Sequence, residues 1–382
     1  MNQIILRQPI IHDEYTSVAQ RMFDIPRENE SVTVIRDNLD IPSGNWNIGL
    51  LHGPSGSGKS TLLRKFGSPK SFEWSKTKSI ISHFDNLSPD DAASLLSGVG
   101  LSSVPTWLRT HDNLSVGEKF RCDMARAISQ GGNEPIIIDE FTSTIDRNVA
   151  RAASVALSKF IRRNNKRIVL ASCHSDILPW LIPDWAYNPS EGVMRTASEC
   201  LRRPDIELKI FRTKYQNWEL FKHAHYLSAE INKSSRCFMA TWNNIPVAFS
   251  SILAFPNPYL KNAWRESRTV CLEDYQGLGI GVSLSNYIGS MIRAGDGRFY
   301  SKTIHPSMVA ARLKSDKWKE TSHSREARDD QSQSMTDRNW VGSKRYCYAF
   351  EYIGPSSSQE ESQLFWEKLD KKKRKVDISH SL

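Results

Sequence analysis

Apolar residues in the first half of the chain gather in short unbroken runs at Trp46–His52, Pro135–Ile138 and Arg167–Ser172. Runs of this length, bounded by turn residues, predict strands buried on both faces, the pattern of a parallel sheet. Helical stretches lie around them at Thr61–Phe66, Asp90–Leu96, Met124–Ile128 and from Asp146 onward, and Val193–Thr196 reads as a last strand. After a connector at Leu201–Pro204 the pattern changes. Ile206–Phe211 alternates apolar and charged residues, while Arg236–Trp242 and Val247–Leu253 read as strands of a hairpin turning at Asn243–Pro246. Trp218–Leu227 predicts an aromatic-rich helix. The strand Arg268–Leu272 runs into the glycine-rich Tyr275–Gly281 and a helix at Val282–Ile288, and Lys344–Ile353 reads as a closing strand. The pattern predicts an α/β domain over residues 1–200, an α+β domain over 201–355 and a tail over 356–382. Residues 316–345, polar and without period, predict a long loop.

Composition narrows the class. A chain of 382 residues exceeds one comfortable core, so two or three domains are expected. With 39% hydrophobic and 24% charged residues it reads as an ordinary soluble globular protein. No apolar run of about 18 residues predicts a membrane span, and Met1–Arg7 lacks the basic start of a signal peptide. Cys122, Cys173, Cys200, Cys237, Cys271 and Cys347 are scattered singly, which suits a reducing cytoplasm better than a disulfide framework. The net charge of +9 is uneven: from Pro204 onward, 27 Lys/Arg stand against 20 Asp/Glu. A basic second half predicts a polyanionic partner, either nucleic acid or the phosphates of a cofactor, with basicity that only aids solubility as the plainer alternative. Lys371–Val376 adds a basic run suited to phosphates or nuclear import, with a solvated helix end as the plainer alternative.

The strongest chemical signal is Gly53-Pro54-Ser55-Gly56-Ser57-Gly58-Lys59-Ser60-Thr61, which fits G-x-x-x-x-G-K-[ST] between a predicted strand and helix. Gly53, Gly56 and Gly58 let backbone amides wrap a phosphate, and Ser55 and Thr61 complete the loop. Lys59 is placed to reach the β- and γ-phosphates, and Ser60 to ligate Mg²⁺. Phe23 is a candidate for adenine stacking, with a core role as the alternative. The buried run at Ile136–Ile138 ends in Asp139, a candidate Mg²⁺ ligand, and Glu140, a candidate base for the attacking water. His174 follows the next strand and is a candidate γ-phosphate donor. Ser115 and Gly117 open the helix around Met124–Ile128, a second place for an anionic group.

This order resembles the nucleotide-binding domain of ABC-class ATPases over residues 1–195. The resemblance implies that Leu114–Glu118 is the signature motif, Asp139 the Walker B carboxylate, Glu140 the catalytic glutamate, Thr144–Asp146 the D-loop and His174 the switch histidine. It also implies ATP and Mg²⁺ as ligands, and a head-to-tail homodimer closing on ATP. Two departures stand out. Val116 and Glu118 replace the usual Gly and Gln, and Ser79–Phe84 offers only His83 where a glutamine is expected. The insert between P-loop and signature is short for a transporter subunit.

In the second domain, Gln276, Gly277, Gly279 and Gly281 form another glycine-rich turn from strand to helix, whose amides suit a pyrophosphate. Gln276–Gly281 resembles the acetyl-CoA loop of GNAT N-acetyltransferases, and the two halves together resemble ABC-type ATPases fused to a predicted acetyltransferase of archaea and phages. Acetyl-CoA is the cofactor this implies. Acyl transfer needs a base for the amine and an acid for the leaving thiolate. His225, Glu273, Asp274 and His305 are the candidate bases and Tyr226 the candidate acid. Three functions follow: an ATPase joined to an acyltransferase of nucleic acid or protein, an ATP-dependent nucleic-acid clamp with a non-catalytic GNAT fold, and, least favoured, a transporter ATPase.

Overall fold

The computed structural model describes residues 2–132, 134–197, 199, 203–225, 230–328, 345–366 and 377–381. Tyr226 and the basic run Lys371–Val376 lie outside them. The chain forms two compact units, and the division passes through the helix Arg147–Arg163.

The first unit holds Met1–Phe72, Gln130–Ala150 and Ile161–Arg203. Strands β1 (Gln3–Pro9) and β2 (Glu30–Arg36) form an antiparallel pair. The helix Glu14–Met22 between them is capped by Asp13, whose carboxylate accepts from the Thr16 amide at 2.8 Å. Phe23, just beyond that helix, is exposed. The main sheet is built from β3 (Ile48–His52), β4 (Ile136–Ile138), β5 (Ile168–Ser172), β6 (Trp185–Asn188) and β7 (Val193–Thr196). Its order is β4-β5-β3-β6-β7, and every neighbour pairs in parallel except β7.

β3, β5 and β6 are buried along their whole length, as their unbroken apolar runs require. Leu51, Leu62, Val169, Ala171, Trp185 and Tyr187 pack into one core. Gly49 has a packing reason: a Cβ there would lie 2.0 Å from the Trp185 ring.

The second unit holds Glu73–Ser129, Arg151–Phe160 and Pro204–Leu382. Its sheet contains β8 (Glu207–Thr213), β9 (Arg236–Trp242), β10 (Ile245–Ala254), β11 (Ala263–Cys271), β12 (Arg298–Thr303), β13 (Trp318–Glu320), β14 (Glu326–Arg328), β15 (Arg345–Tyr352) and β16 (Asp377–Ser381). The order is β13-β15-β12-β11-β10-β9-β8-β16, with β14 on β15. β9 and β10 meet at Asn243 and Asn244, both at positive φ, as a two-residue hairpin demands.

Among the described residues, the only parallel neighbours of this sheet are β11 and β12, joined by the helix Ile280–Ala294. Their pairing stops after Arg265↔Tyr300, and β11 carries an irregularity at the same level, between Ser251 and Ile252 of its other neighbour. In its described part, up to His225, the helix expected over Trp218–Leu227 is instead two short 3₁₀ turns, Tyr215–Leu220 and Lys222–Ala224. Trp218, Phe221 and Ala224 pack on Phe211, Met239, Phe249 and Val270. Burial of those aromatic groups, rather than helical hydrogen bonding, sets the course of the segment.

Candidate functional site

Parallel pairing fixes where the first unit's polar groups emerge. Leu50, Leu170 and Ile138 stand level across β3, β5 and β4. The chain therefore leaves all three strands at the same sheet edge, through Gly53, Cys173 and Asp139. Two strand spacings, about 10 Å, separate the first and last of these along the sheet. In the loop after β3, Gly53, Gly56 and Gly58 have φ of 137°, 79° and 89°. Gly58 precedes the helix Lys59–Leu63 without any side-chain cap, and Ser55, Gly56 and Ser60 are exposed. Lys59 folds back onto the loop, its Nζ donating to the carbonyls of Gly53 (2.9 Å) and Pro54 (2.7 Å). Burial lowers its pKa, partly offset by Cys173 and Asp139.

Asp139 is half-buried, and its Oδ1 accepts from the Glu140 amide at 2.8 Å. Glu140 is exposed and held at φ 51°, a conformation that costs a non-glycine residue strain. The sequence pattern gives no hint of Thr142, also at positive φ and fully buried. Its hydroxyl lies 3.4 Å from His174 Nδ1 and 3.3 Å from Ser172 Oγ, linking the turn after β4 to the turn after β5. His52, at the end of β3, carries no sequence signal either. It lies 3.0 Å from Ser175 Oγ, and burial holds its pKa down.

In the second unit, Ser115 precedes the helix Val116–Ser129. Glu118 turns inward, accepting from the Ser115 amide (2.8 Å) and from Thr106 Oγ1 (2.9 Å), while Ser115 Oγ accepts from the Glu118 amide at 3.3 Å. Burial works against the carboxylate, but these hydrogen bonds and Arg121 hold its pKa below the ordinary value. The acid at this place thus serves a capping box and leaves Ser115 and Val116 exposed. His83 lies in a 3₁₀ turn, edge-on to Trp74 with ring centroids 4.8 Å apart.

The second glycine-rich turn divides in two. Gln276 is buried, its Oε1 accepting from the Ser102 amide (2.8 Å) and its Nε2 donating to the Cys271 carbonyl (3.1 Å). Gly277, at φ 88°, lies against the middle of the helix Arg147–Arg163, where a Cβ would come within 2.7 Å of Ala156 Cβ. Lys159 donates to its carbonyl at 3.3 Å. Gly279 differs: it opens the helix Ile280–Ala294 at φ 93°, uncapped by any side chain, and a Cβ added there would meet nothing within 4 Å. Gly281 is nearly as open, with Thr269 at 3.9 Å.

His305 Nε2 lies 2.9 Å from the Ser102 carbonyl, and burial pulls its pKa down. His225 is buried edge-on to Trp218 at 5.5 Å. Glu273 is half-buried, and burial together with Glu118 raises its pKa. Its carbonyl accepts from Arg121 at 3.4 Å.

Where the β11–β12 ladder ends, a buried ion pair occupies the gap. Glu266 bonds Arg312 at 2.6 Å and accepts from Ser301 and Thr269, each at 2.5 Å. Arg312 also donates to Ser285 at 3.1 Å and lies 4.3 Å from the Trp318 ring centre. No helix among the described residues is long and apolar enough to cross a membrane.

No family model and no curated protein matches the chain. Among solved structures, it is similar to a dimeric ATP-binding cassette in a post-hydrolysis state bound to ADP and Pi. That likeness has 15% identity and a TM-score of 0.35, covering 45% of this chain and 94% of that one. A dimeric bacterial ABC transporter cassette is similar at 16% identity and a TM-score of 0.32, covering 42% of this chain and 88% of that one. CbiO1 from Clostridium perfringens, part of the ABC transporter complex CbiONQ, is similar at 18% identity and a TM-score of 0.32, covering 40% and 78%.

Proposed function

We propose that this chain is an ATP-hydrolysing, non-transporter ABC-class ATPase joined to an acyl-CoA-dependent N-acyltransferase that acts on an amine of nucleic acid or protein. One observation carries the reading: the chain contains two uncapped strand-to-helix turns with glycines at positive φ. Each leaves backbone amides unsatisfied and free of Cβ atoms, the form of an anion site.

At the first turn, Lys59 holds carbonyls of its own loop, and those contacts give way to phosphate oxygens when ATP binds. The Ser60 hydroxyl and the Asp139 carboxylate are hard oxygen donors that suit Mg²⁺, which neutralises phosphate charge during transfer. Glu140 orients the attacking water, and Thr142 positions His174 from the neighbouring turn. ATP binding draws two copies into a homodimer, with the exposed Ser115 and Val116 as the surface offered to the second copy.

The transferase reading is supported by the parallel pair β11–β12, whose ladder ends early, and by the open Gly279 at the start of the helix that joins the two strands. Gly279 and Gly281 hold the pyrophosphate of acetyl-CoA, which supplies the activated acyl group. Glu273, with a raised pKa, takes the proton of the incoming amine.

Calorimetric titration tests both turns. Lys59→Ala is expected to lose ATP and keep acetyl-CoA, while Gly279→Trp does the reverse. Wild-type protein that binds no acetyl-CoA would sink the transferase half. The docking of Gly277 against Ala156 favours one second reading, a nucleic-acid clamp without chemistry. Oligonucleotide binding with no acetyl-CoA affinity is its signature.

A further inference from the structure

In the second unit, an open cavity of about 850 Å³ lies over the β11–β12–β15–β13 end of the sheet. Strand register sets Arg265, Tyr300, Glu351 and Lys319 side by side across these four strands. Alternation puts Lys302 on the same face; Ser301 and Glu266, which also line the cavity, bond each other and Arg312. Phe255, Asn257, Leu260, Ser322 and His323 also line the cavity.

The charge balance is one-sided. Each carboxylate of the lining already has an arginine: Glu266 with Arg312, Glu320 with Arg325 and Glu351 with Arg298. Among the described residues, Arg265, Lys302 and Lys319 form no ion pair, so the surplus is positive. The apolar part of the lining is mainly aromatic, Phe255, Tyr300 and Phe350 beside Leu260 and Ala349, with the Phe255 and Tyr300 rings 5.7 Å apart at 64°.

We propose that this cavity binds single-stranded nucleic acid, with one base against Phe255 and Tyr300 and the flanking phosphates on Arg265, Lys302 and Lys319. A flat apolar ring beside a repeating negative charge is the chemistry such a lining recognises. An acidic peptide brings the charge without the ring, and a duplex keeps its bases stacked away from the wall. The inference deepens the reading above and rests on it for its consequence, that the bound base presents the acceptor amine. Binding itself requires neither ATP nor acyl-CoA.

The test is fluorescence anisotropy of the full chain with a labelled 12-nucleotide single strand. Three phosphate contacts at a slope of about −0.7 each predict about 20-fold weaker binding between 50 and 200 mM salt. The Lys302→Glu/Lys319→Glu variant is expected to lose at least about tenfold, and Phe255→Ala about tenfold. Tyr300→Phe, which keeps the ring, is expected to bind as wild type, and circular dichroism checks that each variant is folded. Undiminished binding by the double charge reversal overturns the proposal, as does equal affinity for a duplex or equal competition by polyglutamate. Acetyl-CoA titration of the same variants separates the two ideas. Oligonucleotide binding at the cavity without acetyl-CoA affinity removes the transferase and leaves the cavity assignment standing. Acetyl-CoA affinity with cavity variants that bind oligonucleotide normally removes only the cavity assignment.

Discussion

Replacing Arg312 with methionine removes one charge of a pair that is almost wholly out of water, the two side chains being 1% and 7% exposed. Glu266 then keeps its hydrogen bonds from Ser301 and Thr269 but loses its countercharge. Breaking a buried pair from one side costs about 3–5 kcal/mol, because the remaining ion is uncompensated. At an m-value of about 2.5 kcal/mol per M urea, the midpoint of the second unit's unfolding should fall by about 1–2 M. The sign with pH is also set. Burial alone would raise the Glu266 pKa, but Arg312 and the hydrogen bonds outweigh it and hold the folded value below the ordinary one. The pair therefore stabilises the fold above the unfolded-state pKa, and that contribution is lost as pH falls through the folded one. Urea titrations followed by tryptophan fluorescence at neutral and acid pH, on Arg312→Met, Glu266→Gln and the double variant, measure all of this. The double variant should recover much of the loss, since both charges leave together. An Arg312→Met midpoint within about 0.3 M of wild type at neutral pH would mean that the buried pair contributes little to stability.

Gly58→Ala forces a Cβ to within 2.6 Å of Ile35 at φ 89°, so ATP affinity measured by calorimetry should fall by at least about tenfold. Thr142→Val keeps the shape but removes the hydroxyl beside His174; phosphate release should slow by about tenfold while ATP affinity holds. Gln276→Ala strands the Ser102 amide and should cost about 1–3 kcal/mol in a urea titration. His305 is held neutral by burial, so its contribution is complete above its unfolded pKa and is lost as pH falls through the folded one. His305→Gln should flatten that part of the stability profile, and an unchanged profile would count against it.

Local sequence carries most of the first unit's candidate site. Gly53–Thr61 and the Asp139–Glu140 pair stand out in the sequence because the proposed phosphate loop needs particular residues at consecutive positions, and a buried strand needs an unbroken apolar run. The glycines of the second turn are equally visible, but their division is not. Whether Gly277 faces a helix and Gly279 faces open space depends on Ala156, more than a hundred residues away in the chain. Thr142, His52 and the Glu266–Arg312 pair are hidden for the same reason, since an isolated polar residue has no period and only its distant partner gives it a role. The course of Tyr215–Ala224 departs from its helical spacing because aromatic burial against Phe249 and Met239 overrides that spacing. The cationic row Arg265, Lys302 and Lys319 belongs to three different strands, and only strand register brings it to one face. Chemistry carried by neighbours in sequence can be read from the sequence, whereas chemistry carried by neighbours in space waits for the sheet to form.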